Sequence, residues 1–159
     1  VNAITIRLPY AAAIRASAKL VENRGRPIHD RHIGERVAIH AAATWSKEGG
    51  ADPRIRQWWW GPGCREVVPT DFSFMFRKVI AVATIAGCHE AQWPRVPMEA
   101  CCAPWGDSWY SGKPAWHIVL ADVVALDEPV GPVRGQLSVP WNLPDDVAAQ
   151  VAEQIGVAS

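Results

Sequence analysis

Two apolar runs set what this chain can fold into. Residues 78–86 are Lys-Val-Ile-Ala-Val-Ala-Thr-Ile-Ala, and residues 117–126 are His-Ile-Val-Leu-Ala-Asp-Val-Val-Ala-Leu. Both are rich in β-branched side chains, which pack well on a pleated surface and crowd a helix. The first reads as a strand buried on both faces. The second reads as a long strand ended by Pro129, Gly131 and Pro132. Residues 3–8 alternate in the same way, and residues 19–24, 36–41 and 135–139 add shorter strand patterns. Outside residues 44–76, two segments read as helix. Residues 11–18 are Ala-rich and follow Pro9, which suits a first helical turn. The other opens at Pro144, Asp145 and Asp146, places Val147, Val151 and Ile155 on one face, and stops at Gly156. Too few helices alternate with strands for a doubly wound sheet. The expectation is an α+β chain, mainly β: a small closed barrel of five or six strands with flanking helices.

At 159 residues the chain has the length of one domain, 1–159. Residues 44–76 differ in texture, with Gly49-Gly50, Pro53, Trp58-Trp59-Trp60 and Gly61-Pro62-Gly63. They read as a loop insertion carrying a short helix. Residues 91–114 form a second loop rich in Pro, Gly and Trp, and no internal repeat is visible.

Charge narrows the partners. Sixteen Lys+Arg balance sixteen Asp+Glu, which excludes a polybasic protein that binds nucleic acid through bulk charge. With 49% hydrophobic residues the chain is not a disordered one either. The balance is uneven, however. Residues 1–40 carry net +4 and residues 114–159 carry net −5, so an anionic ligand is best sought on the first quarter. No basic region leads into an apolar run at the start, and no apolar stretch approaches the ~20 residues that span a bilayer. A soluble, cytoplasmic protein with reduced thiols and no membrane partner is expected. The four cysteines, Cys64, Cys88, Cys101 and Cys102, make no Cys-x-x-Cys pair, so structural zinc is not expected and neither metal nor cofactor is assigned.

The segment Ser17-Ala18-Lys19-Leu20-Val21-Glu22-Asn23-Arg24 carries the most chemistry. If helix gives way to strand near Leu20, Lys19 can turn into the cleft faced by Glu22 and Arg24. There the carboxylate can accept from a base edge and the cations can meet phosphate or carbonyl oxygens. The same spacing also occurs on solvated helices. His40 and His89, at strand ends, are either hydrogen-bonded barrel histidines or groups that move protons.

Nine tryptophans ask for burial or partners. Trp116 and Trp141 sit in or beside strands and read as core. Trp58, Trp59, Trp60, Trp93, Trp105 and Trp109 lie in loops. They can stack on bases, form an interface, or be covered by the insertion.

The order of strand, Pro-Tyr-Ala helix, Ser-x-Lys-x-x-Glu-x-Arg, Gly-Arg-Pro and Val-Ala-Ile-His-Ala resembles the ASCH domain, over about residues 3–43 and 78–143. The family motif is Gly-x-Lys-x-x-Glu-x-Arg. Lys19, Glu22 and Arg24 match it, and Ser17 stands in the place of the Gly. The resemblance implies a PUA-like barrel whose helix–barrel cleft is lined by the motif, in a superfamily that includes readers of RNA and of modified bases. It implies a nucleic-acid partner, RNA favoured, with Lys19, Glu22 and Arg24 as binding residues. Ser17, whose hydroxyl could meet a phosphate, Arg7, Arg26, His40, Trp59 and Trp109 are further binding candidates. Some relatives are amidohydrolases of acylated cytidine that use a Lys, a Thr three residues on and a distant Glu, and others have been proposed as ribonucleases. Here Glu22 occupies the Thr position and Glu90 is the candidate distant carboxylate, so Lys19, Glu22 and Glu90 are the catalytic candidates. A third reading is a protein-interaction module that uses the Trp-rich insertion.

Overall fold

The computed structural model describes residues 1–92 and 102–156. Its centre is a six-stranded sheet. The strands are β1 (Asn2–Leu8), β2 (Val21–Arg24), β3 (Arg36–Trp45), β4 (Val79–Glu90), β7 (Trp116–Val130) and β8 (Trp141–Asn142), in the order β2-β7-β4-β3-β1-β8. β1 and β3 run parallel and every other pair is antiparallel. A small hairpin, β5 (Trp109–Tyr110) with β6 (Lys113–Pro114), stands apart. The mainly-β expectation holds, and the two apolar runs are the two longest strands. The sheet curls into a half-barrel. Its two edges, β2 and β8, are not laddered to each other, so the barrel is not closed as expected.

Both faces of the sheet are covered. One is packed by α1 (Tyr10–Arg15) and by residues after β3, through Ile4, Ile6, Ile39 and Ile85 among others. The other is packed by α4 (Asp145–Gln154), whose Val147 and Val151 meet Ala38, Val82, Leu126 and Trp141. Successive residues of a regular strand point to opposite faces. In β4, Ile80 and Ala81 nevertheless join the same core, because the register with β7 shifts between Val79 and Ala81. A bulge of this kind leaves ladder groups unpaired. Arg15, from the last turn of α1, supplies donors there. Its Nε donates to the carbonyl of Ile80 at 3.2 Å and its Nη2 to that of Leu126 at 2.7 Å.

Residues 44–76 contain two short helices, α2 (Lys47–Ala51) and α3 (Pro53–Trp60). Asp52 caps α3, accepting from the backbone N–H of Arg54 at 2.8 Å. Ile55, Val68 and Phe72 from this stretch are buried in the main core. Trp45 stacks on Phe72 at 5.6 Å.

Residues 135–139 do not form the expected strand. Leu137 is 99% exposed, so the alternation there matches no buried face. The edge of β1 is taken instead by Trp141–Asn142. No helix among the described residues is long and apolar enough to cross a membrane. Cys64 and Cys88 are free thiols.

Candidate functional site

The helix-to-strand junction expected near Leu20 begins at a Schellman-type cap. The N–H of Ala18 donates to the carbonyl of Ala13 at 2.9 Å, and that of Ser17 to Ile14 at 2.8 Å. This cap needs a left-handed residue, usually Gly, and Ser17 takes the conformation at φ 57°. The chain then turns so that Lys19 folds inward, 2% exposed. Its ammonium donates to the carbonyl of Val21 and to Glu22 Oε2, the latter at 3.1 Å. Glu22 Oε1 in turn lies 3.1 Å from Arg24 Nε, off the line of that N–H, so this contact is ionic rather than hydrogen-bonded. Burial lowers the Lys19 pKa, against the opposing pull of the Glu22 charge.

These three side chains line a cavity of about 600 Å³. It lies between the start of α1, β1, β2 and the end of β3, with Arg7, Tyr10, Asn23, Thr44, Asp107 and Tyr110 contributing further polar atoms. Leu137 and Gln136, from the segment that failed to become a strand, also border it. A second cavity of about 470 Å³ adjoins the first through shared Arg24, Tyr110, Ser111 and Leu137, and adds Arg26 and Lys113.

Much of what shapes the cleft lies far off in sequence. Tyr10 donates to Asp52 Oδ2 at 3.0 Å. Burial and the Asp52 charge raise the phenol's pKa. Arg54 clamps Asp52, and its Nη1 donates to Asp107 Oδ1 at 2.8 Å. Burial works against the Asp52 charge, yet the Arg54 hydrogen bonds hold its carboxyl below the usual range. Asn23, inside the motif, donates to Asp107 Oδ2 at 2.9 Å and accepts from the Asp107 N–H at 3.0 Å. Sequence reasoning missed Tyr10, Asn23, Asp52, Arg54 and Asp107. The one local signal was the Asp52-Pro53-Arg54 cap pattern at the start of a helix.

The other candidates divide. Arg7 and Arg26 each line one of the two cavities. Ser17 is exposed at the helix exit and lines neither. Glu90 is exposed at the end of β4, opposite Trp116, and lines neither cavity. His40 is buried within a directional chain. Trp141 Nε1 donates to Thr5 Oγ1 at 3.0 Å, Thr5 Oγ1 lies 3.2 Å from His40 Nδ1, and His40 Nε2 lies 3.1 Å from the carbonyl of Val133. The carbonyl can only accept, so Nε2 carries the hydrogen, and the Thr5 hydroxyl can donate to Nδ1 of the neutral ring; burial lowers the His40 pKa. It therefore serves packing rather than the cleft.

The tryptophans are also sorted. Trp141 is core, as expected. Trp105, expected in an exposed loop, is instead buried: its indole N–H donates to the carbonyl of Ala18 at 2.7 Å and Arg54 lies over its ring. Trp59 packs against Phe72 with ring centroids 5.0 Å apart and does not line the cleft. Trp109 is exposed on β5, while its neighbour Tyr110 borders both cavities. Trp93 lies outside the described residues.

Comparison with known proteins places the fold. No family model and no curated protein matches the chain. Crystal structures of an ASCH protein from Zymomonas mobilis do match in structure. One single-residue variant aligns at TM-score 0.52 and 16% identity, over 96% of this chain and 94% of that one. The unsubstituted protein aligns at TM-score 0.48 and 16% identity, over 96% and 93%. The architecture is that of an ASCH domain.

Proposed function

We propose that this ASCH-fold chain binds nucleic acid, holding one nucleotide of a single-stranded RNA, or a modified nucleotide, in the Lys19–Glu22–Arg24 cleft. The observation that carries the reading is the pair of adjoining cavities. The first has the volume of a small-molecule pocket, and Lys19, Arg7 and Arg24 face it with Glu22 between them. The second continues the path with Arg24, Arg26 and Lys113, and no carboxylate lines it. A free nucleotide needs only the first cavity, whereas a strand with phosphates on either side uses both. Glu22 accepts from an exocyclic amino group, the arginines meet phosphate or carbonyl oxygens, and Tyr110 offers a ring for stacking. Zero net charge fits a small local site rather than broad non-specific binding.

Fluorescence titration with labelled single-stranded RNA tests this. Lys19→Met should weaken binding and also lower stability, because it removes one partner of the buried Lys19–Glu22 pair and leaves Glu22 to Arg24 alone, so circular dichroism checks that the variant folds. Arg26→Ala and Lys113→Ala, both exposed, should weaken binding and flatten its salt dependence. If Lys19→Met and Lys113→Ala both bind as wild type does, the ligand sits elsewhere.

Burial of Lys19 favours a second reading, hydrolysis. A lysine whose pKa is lowered by desolvation is suited to act as base or nucleophile. Incubation with acetylated cytidine and with labelled RNA separates the two. Turnover abolished in Lys19→Met supports the enzyme, and binding without product from either substrate rejects it.

A further inference from the structure

On the side of the sheet where β4 and β7 end and begin, His89 and His117 stand directly opposite each other in the ladder, their ring centroids 5.3 Å apart. Cys102, in the loop between these strands, has its Sγ 3.5 Å from His89 Nε2. One ligand atom from each of the three lies within 4.8 Å of the others. We propose that His89, Cys102 and His117 form a binding site for a borderline-soft divalent transition metal, Zn(II) by preference, independent of the Lys19 cleft chemistry.

The donor set decides the metal class. Two imidazoles and a thiol select zinc-like ions over magnesium or calcium, which take oxygen ligands. Zn–N and Zn–S bonds of about 2.0–2.3 Å put neighbouring ligand atoms roughly 3.5 Å apart around a tetrahedral ion. The His89–Cys102 separation already has that value, and the third donor needs only a small approach. Three protein ligands leave one position for water, as in zinc sites that stay open.

Tautomer adds a second observation. His117 Nε2 lies 2.8 Å from the backbone carbonyl of Asp107, which can only accept, so Nε2 carries the hydrogen and Nδ1 the lone pair. An imidazole that donates one N–H to a backbone carbonyl has the outer partner found at metal-bound histidines. Metal binding ionises the Cys102 thiol and releases its proton to solvent. The spacing 89, 102, 117 forms no linear zinc motif. The ligands come from two paired strands and a loop, so only the fold brings them together.

Such an ion pins residues 102–115 to the sheet. The pinned loop includes Asp107, which braces Asn23 and Arg54 at the cleft.

The test is titration of the chelator-treated full chain with Co(II), read by absorption. Wild type should bind one equivalent and show both the visible bands of a tetrahedral ion and a near-ultraviolet thiolate-to-cobalt band, displaced by Zn(II). Cys102→Ser should remove the thiolate band. His89→Ala should weaken binding at least about tenfold, the loss that even an outer-shell partner produces. His89 and Cys102 are only half-buried, and circular dichroism checks that each variant folds. No stoichiometric uptake by wild type overturns the proposal. A thiolate band that survives Cys102→Ser, or that is lost in Cys101→Ser instead, overturns it too.

Discussion

Arg24 Nη2, on β2, donates a 2.6 Å hydrogen bond to the backbone carbonyl of Thr5, on β1. These two strands stand four places apart in the sheet order, yet the curl brings them side by side. A side chain of the motif thus bridges the seam that no ladder closes. The third motif residue has two jobs: it ties the half-barrel together, and it faces the cleft that the seam forms.

Arg24→Ala should accordingly lower stability as well as ligand affinity. A hydrogen bond from a charged donor contributes about 1.5–3 kcal/mol. Urea unfolding should show a loss of that order. Arg24→Lys should recover little of it, because an ammonium cannot serve Thr5 and Glu22 with a planar fork. Wild-type stability in Arg24→Ala would mean that the seam holds by packing alone.

Gly135 sets a close contact against Thr5 of β1. A Cβ built there would lie 2.6 Å from His40 Cε1 and 2.8 Å from Thr5 Oγ1. Both neighbours are fixed in the Trp141–Thr5–His40–Val133 chain and cannot retreat. Gly135→Ala should cost about 1–3 kcal/mol, as overpacking does, seen as a lower midpoint in thermal or urea unfolding.

That contact also shows where sequence reading stops. The Lys19-x-x-Glu22-x-Arg24 spacing was legible because its partners are neighbours in the chain, and so were the two long strands, because β-branched runs declare themselves. Asp52, Arg54 and Asp107 were not legible. Their meaning is a set of contacts across some fifty positions of sequence (Arg54 to Asp107), and beyond the Asp52-Pro53-Arg54 cap pattern nothing local marks either end. Residues 135–139 misled for the opposite reason. They alternate like a strand, but they serve as a cleft border and a close spacer, with Leu137 left in solvent. His40 stood between a hydrogen-bonded barrel histidine and a proton-moving group, because residue type alone does not reveal that both nitrogens are already engaged.

His40 gives the fold a pH dependence of definite sign. Burial lowers its folded pKa below the unfolded value of about 6.5. The unfolded chain therefore binds the proton first as pH falls. The His40 contribution to stability is fully present above about pH 6.5 and is lost as pH drops toward the folded pKa. His40→Gln should be less stable at neutral pH but flatter across that acidic window. Denaturation midpoints measured at several pH values for both proteins check this, and parallel curves would remove His40 as the cause.

Ser17 carries a different cost. A non-glycine residue at φ 57° pays against the left-handed conformation. Ser17→Gly removes that strain and adds flexibility to the unfolded chain, so a net gain of up to about 1 kcal/mol is expected. RNA affinity should not change, because Ser17 is exposed and borders neither cavity. A binding loss in the Gly variant would instead place the hydroxyl on a phosphate.

Arg54 supports a last prediction, because it joins the insertion to the cleft loop. It pairs with Asp52, which holds Tyr10, and with Asp107, which holds Asn23. Arg54→Met keeps much of the aliphatic stem over Trp105 but frees both carboxylates. Each is left with one partner fewer, and Asp107 is open enough for water to take part of the load. The cost should be modest, about 1–2 kcal/mol in overall stability. The larger effect should be local. Amide hydrogen exchange should speed up across residues 102–115 and at Asn23, while β4 and β7 stay protected. Ligand affinity should fall with it, since the loop carries Tyr110 and Ser111 into both cavities. Unchanged exchange in residues 102–115 would show that the loop is held without Arg54.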